Sequence, residues 1–313
     1  MKKFIYLLIT YLALTNFGFS QAKNIAKKLG YPADAKLLII HADDLGVTHS
    51  ENMASIKALE GSPVNSASIM VPCPWFPEIA TYAKEHPQMD FGLHLTLNAE
   101  WKNYKWGPVA SKEAVQSLVN DKGYFYDNVP DVAQKALPEH VAHELEQQIK
   151  KALEAGINVT HLDAHMGAAM STPALLEAYI KLGQKYELPV LLDYGIEAMN
   201  NDDIRKILSK NDVVVNRTMT ALPNNFENGF DKFYSNLLKN IEPGLNCLLI
   251  HLAYDDEEMQ EVTIDHPDWG AAWRQADFDF FTSDACQEIL REENIILVSW
   301  LEIRDKIVRA NKN

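Results

Sequence analysis

The side chains of this sequence that can do chemistry stand at the ends of apolar runs. His41-Ala-Asp43-Asp44 closes one run, His94 interrupts Gly92-Leu-His-Leu-Thr-Leu97, His161-Leu-Asp163-Ala-His165 follows Val159-Thr160, and His251 closes Leu248-Leu-Ile-His251. Imidazoles and carboxylates hold divalent metals and exchange protons near neutral pH. Metal-assisted acid-base chemistry is therefore the first expectation.

Asp43 and Asp44 are neighbours, and an extended backbone sends neighbouring side chains to opposite sides. On that geometry they cannot share one job. A natural division gives one carboxylate to a metal and leaves the other to handle a proton, since two unpaired carboxylates this close would resist ionising together. A helix cap near Ser50 would explain one acid, but not both together with the histidines. His94 alone reads as a satisfied core residue. Together with Asp44 and His165 it completes two imidazoles and one carboxylate, a set that suits zinc or another divalent ion and leaves positions open for water and substrate. His161 and His165 are four apart, which on a helix would place both on one face, but Val159-Thr-His-Leu reads as a strand. His165 then lies beyond the strand end and can turn to the centre, while His161 and Asp163 share a face and are expected to orient the ligands. An imidazole at His251 can protonate a leaving amine. The acidic run 255–258 after it reads as solvated surface.

Apolar runs suited to buried parallel strands occur at 36–41, 67–71, 91–97, 159–162, 190–192, 213–215, 247–251 and 295–299. Helical stretches lie between most of them. The clearest follows Pro138, with Val141, Leu145, Ile149 and Leu153 each four apart on one face; another opens at Ser171-Thr172-Pro173, a cap residue before proline. About eight strands alternating with helices predict an α/β fold, a closed or nearly closed barrel of parallel strands. In a barrel the carboxyl ends of successive strands converge on one face, where active sites are built. The stretch 98–130, rich in Trp, Tyr, Lys and Gly, breaks the alternation and reads as a long loop over one end. Trp101, Tyr104, Trp106, Trp269 and Trp273 could stack on sugar rings or serve as packing.

Composition narrows the partners. A formal charge of −14 with no basic stripe disfavours phosphate backbones and anionic membrane surfaces, so nucleic acid is not an expected partner. The first 21 residues, Lys2-Lys3 followed by an apolar run to Leu14 and small residues near Ser20 and Ala22, read as a signal peptide. The run is too short for a comfortable membrane span, and no cysteine follows it to carry lipid. The expectation is an exported protein, periplasmic or secreted, with one domain over residues 22–313, no stable membrane anchor, and a homodimer admitted. Cys73, Cys247 and Cys286 are far apart and fit neither a disulfide scaffold nor a thiolate zinc site. There is no Gly-rich phosphate loop and no Gly-x-Ser-x-Gly elbow.

His41-Ala-Asp-Asp-Leu-Gly46, Gly92-Leu-His-Leu-Thr96, Thr160-His-Leu-Asp-Ala-His165 and Ile250-His251, in this order and roughly this spacing, resemble the YdjC-like carbohydrate deacetylases, which include chitooligosaccharide deacetylase and are related to polysaccharide deacetylases. The likeness spans about residues 36 to 305. It implies an irregular (β/α) barrel of seven or eight strands, akin to a TIM barrel, in a single domain after the signal peptide. The implied reaction is hydrolysis of N-acetyl groups on amino sugars or oligosaccharides, using metal-activated water. By position, Asp44, His94 and His165 would bind one divalent ion, magnesium or zinc with nickel or cobalt admitted. Asp43 would be the base and His251 the acid. Members acting on chitooligosaccharides typically carry further histidines after the last ligand, where this sequence has Met166-Gly167-Ala168-Ala169-Met170, so the sugar pocket is expected to differ. Two other classes fit the same residues: a carbohydrate-binding barrel without turnover, and a metal-dependent hydrolase of an ester or phosphodiester.

Overall fold

The computed structural model describes residues 25–195, 206–226 and 229–310. The expected leader, residues 1–21, lies outside them. Among the described residues no helix is long and apolar enough to cross a membrane.

Seven parallel strands form one sheet. β1 (Lys36–Leu45) pairs with β6 (Gly244–Ile250) along one edge. Its other edge is shared: β7 (Ile295–Leu297) pairs with Lys36–Leu38, and β2 (Ser66–Ile69) takes over from His41. β3 (Phe91–Leu95) and β4 (Val159–Ala164) follow β2, and β5 (Arg217–Thr220) flanks β6. Short segments join the two edges. Leu191 N donates to Leu162 O at 2.8 Å, Val215 N to Leu192 O at 2.8 Å, and Asn216 N to Leu245 O at 2.7 Å. The hydrogen-bonded ring thereby closes, as the alternation of elements predicts. The strands expected at 190–192 and 213–215 are reduced to single bridges, Leu162 to Val190 and Asp193 to Val215, and the regular strand begins only at Arg217. Apolar character marks what is buried there, but pairing needs a partner strand in register, and the partner shifts from β4 to β6 within a few residues.

Strand alternation sorts the core. Leu38, Ile40 and Ala42 pack with the surrounding helices in the larger cluster. Leu37 and Ile39 pack in the smaller one with Leu245, Cys247, Val213, Val215 and Trp300. The second set fills the lower barrel, and the same face of β1 continues upward as His41 and Asp43. An apolar plug thus lies beneath a polar layer.

The helices follow local sequence. α1 (His49–Gly61) is capped by Thr48, whose side chain accepts from Glu51 N. α2 is Pro138–Glu154 and α3, Pro173–Tyr186, is capped by Thr172. On α2, Val141, Leu145 and Ile149 are buried as expected, but Leu153 is 44% exposed and Ala152 is buried instead. Steps of four residues drift about 40° each on a 3.6-residue helix, so the fourth member of the row leaves the core face. The stretch 98–130 is an ordered cover. The Glu144 carboxylate of α2 accepts from Val109 N and Ala110 N, Trp106 Nε1 donates to Asn98 O, and Tyr104 Oη donates to Val47 O at 2.7 Å. The three cysteines are buried and free.

Candidate active site

The polar layer opens into a cavity of about 610 Å³ lined by Asp43, Asp44, His94, Asp163, His165 and His251 among others. At its floor the pairing of β1 with β2 slips between Ala42 and Leu45, and Asp44 takes a left-handed backbone with φ 68°. Asp is one of the few residues that tolerates this region. The irregularity breaks the strict alternation expected of an extended pair, so Asp43 and Asp44 do not point apart. Both carboxylates face the cavity.

Asp44 Oδ1 lies 3.3 Å from His94 Nε2 and 3.3 Å from His165 Nδ1. It is buried and has no hydrogen-bond partner. Donors bound to one ion at about 2.0–2.1 Å stand roughly 3.0–3.4 Å apart, so these atoms are spaced as ligands of one divalent cation. Electrostatics agree with that fit. Burial pulls both imidazoles down, yet Asp163, Asp43 and Asp44 raise His94 well above its ordinary value, while Glu100 and Asp44 lift His165 to about 9. The metal-free site therefore attracts protons that a cation would replace. Burial opposes ionisation of Asp44, but Arg274 and the two histidines hold it well below the usual carboxylate range.

Outer contacts fix the ring positions. Asp163 Oδ1 is 3.0 Å from Nδ1 of His94, the nitrogen that faces away from Asp44. His161 stands a step further back. Its ring packs against His41 at 4.9 Å between centroids and stacks on Trp300, and Nδ1 lies 2.8 Å from Thr160 Oγ1. It touches none of Asp44, His94 or His165. His251 Nε2 is 3.9 Å from Asp43 Oδ2, with the side chain 17% exposed, and Asp277 fixes its backbone by accepting from His251 N at 2.9 Å. Burial pushes the His251 imidazole down to about 4. At neutral pH it rests uncharged.

Sequence reasoning missed three participants. Arg274 Nη2 donates to Asp44 Oδ2 at 2.9 Å, its Nη1 pairs with Glu51, and its Nε donates to Trp269 O. Glu100, from the 98–130 cover, lies 3.0 Å from His165 Nε2. His41, quoted within its motif but given no role, is fully buried between Asp43 and Asp163. Burial alone would lower it, but the hydrogen bonds its ring donates to those two carboxylates raise it to about 9. A signal for Arg274 does exist. On α4 (Ala271–Phe281), Arg274, Asp277, Phe278 and Phe281 are all buried, at the spacing of a core-facing stripe. Charges within such a stripe mark a site. Among the aromatics, Trp101 and Trp269 line the cavity, whereas Trp106 and Trp273 are buried packing.

A parallel α/β barrel with an Asp-His-His cluster at the carboxyl ends of its strands is the class that fold and site define. The family model described as YdjC-like protein matches residues 37–292, and the chain belongs to that family. It is 31% identical over 279 residues to a carbohydrate deacetylase of Thermus thermophilus, covering 87% of this chain and 95% of the relative. It is 29% identical over 268 residues to a carbohydrate deacetylase of Thermoanaerobacter pseudethanolicus, covering 85% and 98%. Among solved structures, an Enterococcus faecalis protein described as a cellobiose-phosphate cleavage protein superposes with a TM-score of 0.71 at 23% identity, over 85% of this chain and 98% of that one. That likeness concerns the fold.

Proposed function

We propose that this protein is a metal-dependent carbohydrate deacetylase that hydrolyses the N-acetyl group of an amino sugar or oligosaccharide. The observation that carries the reading is the convergence of His94 Nε2 and His165 Nδ1 on the unpartnered Asp44 Oδ1, at 3.3 Å each, beside a second carboxylate and a third imidazole. The names of the relatives at 29–31% identity supply the reaction class.

Asp44, His94 and His165 would hold the ion. A divalent cation there supplies Lewis-acid polarisation of water and of the acetyl oxygen. Asp43, buried beside them and bound to His41, takes the proton of the water that attacks the acetyl carbon. The C–N bond then breaks, acetate leaves, and the departing amine takes a proton from His251. Because His251 rests neutral, its proton arrives during the reaction, and Asp43 Oδ2 at 3.9 Å is the nearby source. An imidazole pushed down to about 4 is, once protonated, a strong donor. Asp277 keeps the histidine in place through its backbone. The basic and apolar first 21 residues support export of the enzyme to the periplasm or beyond.

The test is acetate release from N-acetylglucosamine oligomers by protein stripped of metal and resupplied with zinc, magnesium, nickel or cobalt one at a time. Metal-dependent acetate is expected. Folded, metal-loaded protein that releases none, while cleaving acetyl esters or phosphodiesters or merely binding the sugar, would overturn the reading.

A further inference from the structure

Below the cavity floor, one buried side chain touches both halves of the proposed machinery. His41 Nε2 lies 3.0 Å from Asp43 Oδ1 and 2.9 Å from Asp163 Oδ2. Its Nδ1 lies 2.8 Å from Ser66 Oγ, and Ser68 Oγ donates to Asp163 Oδ2 at 2.9 Å. Asp163 in turn holds His94 Nδ1 through its other oxygen at 3.0 Å. Carboxylates accept and do not donate, so a nitrogen facing two of them carries its proton there. His41 therefore donates from Nε2 towards Asp43 and Asp163.

The geometry points to His41 as a positioning residue whose single Nε2–H clamps the base Asp43 and, through Asp163, the metal-ligating ring of His94 in one register. The assignment of Asp43 as base rests on the deacetylase reading above; the Asp163 and His94 half does not. His41 touches neither substrate nor metal ligand. It acts by denying two carboxylates their freedom to rotate. The serines Ser66 and Ser68 on β2 hold the ring and the shared carboxylate from the side, and the stacked pair His161 and Trp300 closes the layer below. Ser68 Oγ and His94 Nδ1 also face both carboxylates, but each stands farther from Asp43, at 3.4 Å and 4.0 Å, than His41 does.

Two variants of similar bulk separate the N–H from the volume it occupies: His41→Gln keeps a donor, His41→Leu removes it. Zinc affinity is read by calorimetry on metal-stripped protein, and kcat and KM by acetate release at saturating zinc. The leucine variant should bind zinc ten- to hundredfold more weakly, the range for loss of an outer hydrogen-bond partner, and its kcat should fall about a hundredfold with KM nearly unchanged. Glutamine should recover most of both losses. A folded leucine variant with wild-type zinc affinity and kcat, lower only in melting temperature, would overturn the proposal. So would a glutamine variant no better than leucine. If leucine does not fold, glutamine decides alone: losses beyond about a hundredfold in both readouts reject the clamp. Should the wild type release no acetate, the deacetylase reading fails, while the zinc titration still tests the link from His41 to His94.

Discussion

Asp43 and Asp44, consecutive in the chain, deliver both carboxylates into one cavity because Asp44 adopts φ 68° where the pairing of β1 with β2 slips. A regular strand would have turned one of them into the helical layer. On the proposed reading, the slip sets the base beside a metal ligand.

Replacing Asp44 by Asn keeps a residue that tolerates the left-handed region but removes the charge that faces His94 and His165. The protein should fold, pair Arg274 less tightly, and lose more metal affinity than the ten- to hundredfold that outer partners cost. Metal content after dialysis against a graded chelator measures this. Full occupancy would reject Asp44 as a ligand.

Asp43→Asn separates the two carboxylates. With Asp44, His94 and His165 untouched, metal content should match the wild type, while kcat falls about a hundred- to ten-thousandfold, the usual weight of a positioned base. Acetate release and elemental analysis on the same sample give both numbers. Unchanged turnover would remove Asp43 from the chemistry.

The sequence carried much of this, for a physical reason. Apolar strands announce themselves by composition, and polar residues at their carboxyl ends stand out, so the sequence pattern alone singles out Asp44, His94, His165 and His251, which line one cavity. Backbone irregularity was not legible. The slip at Asp43 and Asp44 leaves no mark in hydrophobic pattern, and β5 sits beyond the apolar run at 213–215 because register depends on a distant partner. Long-range polar partners were equally hidden. Glu100 and Arg274 come from a loop and a late helix, where a charge reads as surface until the fold buries it against Asp44 and His165.

Metal-free protein should lose stability in acid partly through His251. Burial holds its folded pKa near 4, below the unfolded value of 6.5. Between these limits the unfolded chain binds more protons, so stability falls as pH drops from 6.5 towards 4. The side chain is 17% exposed, and the loss is on the order of 2 to 3 kcal/mol. His41 and His165 act in the opposite direction: with folded values of about 9, their contribution is present below 6.5 and disappears as pH rises through 9. Urea unfolding of wild type and His251→Asn at pH 4.5 and 7 isolates the His251 share. An identical pH slope in both proteins would contradict the buried, neutral imidazole.

Gly92 tests the layer beneath the site. A Cβ at this position would lie 2.3 Å from the His161 ring, which is itself packed between His41 and Trp300. Gly92→Ala should therefore cost about 1 to 3 kcal/mol by overpacking and push His161 towards His41, lowering turnover along with the melting temperature. A variant as stable as the wild type would mean that the ring moves freely.

Substrate charge follows from how Arg274 is spent. It is the one Arg or Lys among the described residues lining the cavity, and Asp44, Glu51 and the Trp269 carbonyl already engage its three nitrogens, with its guanidinium 5.7 Å above the Trp101 ring. The other charged lining groups beyond the floor include Glu100, Asp193 and Asp268. A phosphate held in this space away from the Asp44, His94 and His165 floor would meet carboxylates and find the one lining Arg already engaged, whereas a neutral N-acetylated sugar can set its ring against Trp269 and its hydroxyls against the acids. The kcat/KM for an N-acetylated sugar should therefore drop at least about tenfold when a phosphate is added, and the deficit should shrink in high salt as the repulsion is screened. Steady-state rates for the paired substrates at low and high salt check this. Equal kcat/KM at low salt would show that the cavity offers an anion a partner after all, and that Arg274 releases Glu51 or Asp44 to provide it.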